Sequence, residues 1–458
     1  MRSNPQVKEV TAVRGADGRW IGVLLLLTLC LLGIGARPLA AQETAPAIDS
    51  GDTAWVLAAS ALVLLMTPGL AFFYGGLVRR KNVLSILAQC FLCMALMTIL
   101  WVLFGFSLAF GSDAFGGLVG GGDYFFLSGV GFEPWDGTTI PAQLFMVFQG
   151  MFAIITPALM IGAFAERMKF SAICWFTGLW LLVVYAPVCH WVWGGAEGFF
   201  GLGDDGALDF AGGTVVHINA GVSALVAAIL LGRRQGYPQG ISPPHNLPFA
   251  VLGTGLLWFG WFGFNAGSAL GANESAANAF VVTHVATAAA AATWGALDWF
   301  RERKPTLLGL ITGAVAGLVA ITPACGSVNA MGALGVGAGA SIAGYFAVTW
   351  AKVKLGYDDS LDVFGVHGVA GIWGAVGAGL WATSGVPGND TDGLFYGNAA
   401  QVLIQLKAVL YTVVWAGVVS FVLLKLIDLV IGLRVSPDSE RIGLDVTEHR
   451  ETAYTLVD

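Results

Sequence analysis

From Thr53 to Leu433 the chain is a succession of apolar stretches, each long enough to cross a bilayer and almost free of charge. In hydrocarbon every backbone N–H and C=O must find its partner inside the protein, so such stretches can only be helices. Eleven spans are expected, at 53–77, 83–111, 143–165, 170–194, 212–232, 247–270, 276–299, 306–325, 330–352, 361–383 and 400–433. The loops check this count independently, because Lys and Arg collect on the cytoplasmic side. Arg79, Arg80 and Lys81, then Arg167 and Lys169, Arg233 and Arg234, Arg301, Arg303 and Lys304, and Lys352 and Lys354 fall in every second loop. The intervening loops hold no Lys or Arg, and the long one at 112–141 holds acids. Lys407, on the outer half of the last span, has no partner legible in the sequence. Composition agrees: 56% of residues are hydrophobic and 11% charged, roughly half the charged share of a soluble domain. The class is an all-α polytopic membrane protein, with lipid as its surroundings and no nucleic-acid role. The 64 glycines suit close helix approach, as at Gly313 and Gly317.

Residues 1–41 read separately. Arg2, Lys8, Arg14 and Arg19 precede the apolar run "WIGVLLLLTLCLLGIG", and small residues follow, the pattern of a secretory signal peptide cleaved near Ala41. An uncleaved signal anchor is the alternative. Either way the first span begins outside, and an odd span count places the tail, 434–458, in the cytoplasm. Residues 42–433 form the membrane domain. Five cysteines follow the leader, and Cys90 and Cys93, though spaced CxxC, lie inside a span without further ligands, so neither a disulfide framework nor a metal site is expected. No Walker A sequence is present, and no cofactor is expected.

An internal echo organises the rest. "TVVHINAG" (214–221) and "DVFGVHGVAG" (362–371) share VHxxAG and place His217 and His367 several residues inside the fifth and tenth spans. The five-span offset reverses the direction of the second copy, the mark of an inverted repeat with its site between the halves. An ionisable residue within a membrane span is costly and faces a pathway or a partner, so the two imidazoles are read as a pore pair. Neutral imidazole offers one donor and one acceptor, which lets a facing pair share a hydrogen bond and still meet a small polar passenger. Gly365 and Gly368 flank His367 and allow neighbouring helices to approach.

Together with "GALDFAGGTVVHINAG" (206–221), "WFGFNAGSA" (261–269), "FYGGLVRRKNVLS" (73–85), "GAFAERMKFSA" (162–172), "PHNLP" (244–248) and "TPACG" (322–326), these motifs resemble the ammonium transporter branch of the Amt/Mep/Rh family. The resemblance runs from about Thr53 to the C-terminus. It implies eleven helices, as a five-plus-five inverted repeat with a long eleventh, in a homotrimer of the inner (plasma) membrane with one pore per subunit.

The family's ammonium recruitment site carries over onto Phe152, Trp193 and Ser268, and its phenyl gate onto Phe152 and Phe264. Without the resemblance, Trp193 reads as an interfacial belt residue, Phe152 as packing and Ser268 as a hydroxyl bonded to its own helix. Ammonium, or its analogue methylammonium, is attracted by aromatic faces by about 1–2 kcal/mol once partly desolvated. A bare charge in hydrocarbon costs far more, so the implied passenger beyond the gate is ammonia, meeting His217 and His367. A proton following separately makes uptake electrogenic; one that returns outside makes the protein an electroneutral ammonia channel. Asp209, eight residues before His217, reads either as a cap of the fifth helix, supporting the recruitment site, or as the acceptor of ammonium's proton.

Of the other histidines, His190 lies near the outer edge, His245 in a cytoplasmic loop, His449 in the tail and His284 inside the seventh span. The tail "GLRVSPDSERIGLDVTEHRETAY" resembles the family's regulatory C-terminus and implies docking of a P-II-type nitrogen regulatory protein, with Arg450 standing where a glycine is usual. Two rival functions are weaker. A serine hydrolase using Ser268 and His217 lacks a nucleophile elbow, so no enzyme activity is expected. A non-conducting ammonium sensor would carry a signalling domain, for which this tail has no room.

Overall fold

The computed structural model describes residues 47–238 and 243–454; the leader expected over 1–41 lies outside them. Among the described residues the eleven expected spans are all helical. They are α1 (Ser50–Leu77), α2 (Arg80–Phe110), α3 (Ala142–Phe164), α4 (Phe170–Trp193), α5 (Gly213–Leu231), α6 (Leu247–Gly267), α7 (Glu274–Glu302), α8 (Leu307–Ile321), α9 (Ala330–Leu355), α10 (Phe364–Trp381) and α11 (Ala400–Val430). Side-chain caps set several starts. Asn246 accepts from the Phe249 N–H at 3.1 Å, Asn273 from Ala276 at 3.0 Å, Thr306 from Gly309 at 2.8 Å and Asn329 from Gly332 at 3.0 Å.

The eighth span is shorter than the sequence suggested. Helix α8 has 15 residues, about 22 Å of rise against a hydrocarbon core of about 30 Å. Pro323 offers no N–H to continue the ladder, and the chain turns from Thr322 to Ser327. That turn is buried in protein, and its carbonyls find partners there. Ile321 and Ala324 accept from the N–H groups of Ala324 and Ser327, and Asn278 Nδ2 donates to Cys325 and Val328, each at 3.1 Å. Irregular backbone at membrane depth is tolerated because no lipid reaches it.

The halves α1–α5 and α6–α10 pack as an inverted repeat, with α1 lying along α6 and α5 meeting α10 at the centre. Gly313 and Gly317 do let α8 close on α7: a Cβ on either would come within 2.5 Å of the Cβ of Trp294 or of Ala290. The long α11, 31 residues, covers α5 and α10 and leaves an apolar face exposed. The only strands among the described residues are the two-residue pair β1 (Asp113–Ala114) and β2 (Val119–Gly120), antiparallel in the loop after α2. Lys407 is accounted for: its ammonium pairs with the Asp205 carboxylate and lies 5.5 Å from the Tyr411 ring.

The basic loops gather on one face and are tied together by buried acids. Glu166 accepts from the Arg79 backbone at 2.8 Å and from Asn82 at 2.9 Å, and Arg234 pairs with Asp358 at 2.8 Å. Burial alone would raise the Glu166 carboxyl; Arg79 and Arg234 outweigh it and hold the group below the ordinary carboxylate range. The tail lies on this network as two short helices, α12 (Pro437–Ile442) and α13 (Leu444–His449). Its acids cap other helices: Asp445 accepts from the Ser85 N–H at 2.8 Å and Glu448 from Phe170 at 3.0 Å, each at the positive end of a span.

Arg450 closes α13 in the left-handed region, at φ 59°, where glycine carries no Cβ penalty. Relief of about 1–2 kcal/mol of strain exceeds the ~0.5–1 kcal/mol that glycine's added freedom costs. R450G is therefore expected to slow amide exchange in residues 444–449 roughly two- to five-fold, measured by hydrogen–deuterium exchange; faster exchange would contradict this account of the tail.

Candidate functional site

Both histidines sit on π-helical turns, Gly213–Ile218 at the start of α5 and Phe364–Val369 at the start of α10. Such turns widen a helix and re-aim its side chains, and they recur at functional positions. The repeated AG explains how the turns meet. A Cβ on Gly221 would stand 2.3 Å from the Gly368 nitrogen, and one on Gly371 would stand 3.2 Å from the His217 Cβ. The glycine four residues after each histidine thus makes room for the other histidine's segment. His217 and His367 face each other with their Nδ1 atoms 3.3 Å apart and their planes 22° from parallel.

That contact constrains the protons. A hydrogen bond between two Nδ1 atoms needs one donor and one acceptor, so the neutral rings take opposite tautomers. One Nε2 is then a bare acceptor and the other an N–H donor. The Nε2 of His217 is buried and has no protein partner. His367 lines a cavity of about 300 Å³ that opens on the basic face beside Tyr74, Trp294, Asp298 and Ser360.

On the other side of His217 the path is aromatic. Its ring lies 6.0 Å from Phe264 and 5.4 Å from Trp261, whose indole is fixed by a 2.8 Å bond to Thr322. Phe264 and Phe152 are in contact, 4.4 Å between centroids, and Trp193 meets Phe152 edge-on at 5.7 Å. Phe152 and Phe264 are buried, while Trp193 and Ser268 are partly exposed. The structure therefore joins Trp193, Phe152, Phe264, His217 and His367 in one line of ring contacts. Ser268 donates to the Phe264 carbonyl at 2.9 Å, which leaves its oxygen lone pairs free to accept. It makes no bond to His217, so a nucleophile–base pair is not formed here.

Asp209 is held at the mouth of this line by five donors. Its carboxylate accepts from the N–H groups of Gly212 (2.9 Å), Gly213, Thr214 (2.8 Å) and Val215 (3.2 Å) and from the Thr214 hydroxyl. Its carbonyl accepts the Trp193 indole N–H at 2.8 Å. Asp359 stands eight residues before His367 as Asp209 stands eight before His217, and it accepts the Phe364 N–H at 2.7 Å. The sequence reading missed this second acid, although the equal spacing in the two repeats announces it. Trp261 was missed as well; it lies three residues before Phe264, on the same helix face.

The remaining histidines lie off the path. Both nitrogens of buried His190 meet acceptors, the Ala109 carbonyl at 2.9 Å and Asp113 at 3.0 Å. His245 bonds the Val78 carbonyl and Tyr454, and the ring of His449 packs on Phe170. His284 is exposed on α7 against Trp258. Among the described residues no three His, Cys, Asp or Glu side chains gather as a metal site.

A profile of the Ammonium Transporter Family matches residues 54–454. An ammonium transporter of Aquifex aeolicus is 52% identical over 411 residues, 89% of this chain and 94% of that protein. The crystal structure of Candida albicans Mep2 superposes with a TM-score of 0.81 at 34% identity, covering 89% of this chain and 94% of the other. A solved structure described as a sensor Amt protein gives a TM-score of 0.79 at 30% identity over 87% and 98% of the two chains.

The two acids separate by experiment. Replacing Asp209 with Asn exchanges one multiply bonded oxygen for a donor, and D209N is expected to lose about 2–3 kcal/mol of stability. Burial raises both carboxyls, that of Asp209 against the pull of its Thr214 and backbone donors, and that of Asp359 up to about 6 against the pull of Lys352. A carboxyl raised in the folded chain contributes stability that is present at about pH 4 and is lost as pH rises through about 6. Thermal melts in detergent should show D209N less stable at neutral pH, and D359N missing that decline between about pH 4 and 6.

Proposed function

We propose that this chain, which belongs to the ammonium transporter family, strips a proton from ammonium at an outward-facing aromatic site and passes ammonia alone through its ring stack. The observation that carries this reading is the contact of Phe152 with Phe264, 4.4 Å between centroids, in line between Trp193 and His217. A cation at the Trp193 face gains about 1–2 kcal/mol, and the lone pairs of Ser268 accept from an N–H that potassium does not have. Carrying the charge past two buried phenyl rings costs several kcal/mol or more, which those contacts do not return. Losing the proton first, to water at the partly exposed Trp193 face, removes that cost.

Beyond the rings, ammonia needs a donor and an acceptor, and the opposed tautomers of His217 and His367 offer both. Their Nδ1–Nδ1 bond and the cavity beside His367 also supply a route for a proton that travels apart from the nitrogen, and we favour electrogenic uptake on that ground. Asp209 supports the site as a cap, its oxygens already occupied by five donors. The basic face is cytoplasmic by the distribution of Lys and Arg. A cleaved leader and translocated first span follow from residues 1–41, with the protein in the inner membrane. Exposed His284 with Phe280 and Phe259 on α6 and α7 supports self-association, as the homotrimer the resemblance implies, since an imidazole on the outer face of a span is better covered by a neighbouring subunit than by lipid. A P-II-type protein is the partner proposed for the cytoplasmic face.

Uptake of labelled methylammonium into proteoliposomes, with the current recorded alongside, tests the reading. Current proportional to uptake is expected; uptake without current would replace the electrogenic version with an ammonia channel, and binding without uptake would mark a sensor. W193L is expected to raise the half-saturating concentration roughly 5- to 30-fold, the equivalent of 1–2 kcal/mol. Loss of both imidazoles, in H217A/H367A, is expected to abolish the current.

A further inference from the structure

We propose that Gln405 of α11, a residue with no part in the ring line, is the positioning residue that sets the geometry of the recruitment site. The inference rests on the assignment of that site to Trp193. Residues 206–210 lead into α5 without regular structure, so their polar groups need partners from elsewhere. The Gly206 carbonyl accepts from Gln401 at 2.8 Å, the Asp209 carbonyl from Trp193, and the Phe210 N–H donates to Pro323 at 3.1 Å.

Leu208, between them, is held on both sides by one amide. Gln405 Oε1 accepts its N–H at 2.6 Å and Nε2 donates to its carbonyl at 2.8 Å. The same Nε2 donates to the Ala375 carbonyl at 3.0 Å, two turns along α10 from His367. Gln401 Nε2, 3.4 Å from Oε1, agrees with that amide orientation.

Gln405 is buried, and its amide plays the part of a neighbouring strand to the residue before Asp209. The Asp209 carbonyl in turn anchors the Trp193 indole. A shift of Leu208 therefore reaches the recruitment ring through the Asp209 carbonyl, while the phenyl pair rests on other contacts. No other side chain reproduces the pattern at neutral pH. Leucine leaves both Leu208 groups unpaired, and an ionised glutamate sets an oxygen against two carbonyls. A protonated glutamate restores the pair, its O–H donating to the Leu208 carbonyl and its C=O accepting the N–H.

The test is labelled methylammonium uptake by the full-length protein in proteoliposomes. Half-saturation and maximal rate are compared with wild type at each pH for Q405L, Q405E and W193L. Expected are a rise in half-saturation of about tenfold for Q405L with the maximal rate within about twofold, the split that a lost recruitment geometry gives. Q405E is expected to match Q405L at pH 8 and to recover toward wild type by pH 5. If Q405L does not fold, the pH-dependent recovery of Q405E decides alone. Half-saturation unchanged in Q405L, or a Q405E defect that ignores pH, overturns the proposal. With W193L impaired, that failure belongs to Gln405 only; an unimpaired W193L overturns the recruitment reading and this proposal together.

Discussion

The contact on which the rest of this structure depends is the crossing of α5 and α10 at Gly221 and Gly368, beside the π-helical turns that carry the two histidines. Two imidazoles at membrane depth are costly unless each finds a partner, and here each is the other's partner. The 3.3 Å separation of their Nδ1 atoms demands that α5 and α10 touch backbone to backbone, which a Cβ on Gly221, 2.3 Å from the Gly368 nitrogen, would block. Once the helices cross there, the rest of each half must wrap around them. The α1–α6 and α7–α8 contacts, themselves lined with glycine, close the bundle around this point.

A crossing of broken helices exposes N–H groups where water cannot reach them, and the fold meets each with a carboxylate. Asp209 takes five donors at α5 and Asp359 takes one at α10, so the two halves are alike in plan and unequal in detail. Asp445 and Glu448 of the tail repeat the device at α2 and α4. Cap geometry thus couples the tail to the spans: its acids hold the first turns of helices whose far ends reach the opposite face, where Trp193 terminates α4.

Much of this was legible in the residues. Span number follows from apolar length and the alternation of Lys and Arg, and the inverted repeat from VHxxAG, because membrane insertion and symmetry both leave periodic marks. What escaped notice lacks such marks. The stop of α8 at Ile321 depends on a buried turn satisfied by Asn278, which is distant in sequence. Lys407 read as an anomaly until Asp205 lay beside it, and Gln405 reads as one more polar residue on a lipid-facing helix. The ring line itself was placed by resemblance to the ammonium transporters; spacing alone would have left Phe152 and Trp193 as packing and belt residues. Asp359 is the instructive omission, since the eight-residue offset in both copies needed only to be compared.

The two capping acids bear on how the proposed passage treats charge. Each lies at one end of the line of rings, Asp209 toward Trp193 and Asp359 toward the basic-face cavity, and neither belongs to the line itself. A carboxylate beside a mouth favours a cation there, since a unit charge at about 8 Å contributes roughly 2 kcal/mol at an effective dielectric of 20. Between the mouths the lining is phenyl and neutral imidazole, where that attraction does not offset the loss of hydration. In the proposed passage the arrangement would draw the ion to the entrance and refuse it the interior, and only a species that can shed its charge on arrival would gain from both. Ammonium can do so by giving up one proton, whereas sodium and potassium have none to lose. Discrimination on this view arises from acid–base chemistry at the mouth more than from the fit of an ion to a cage.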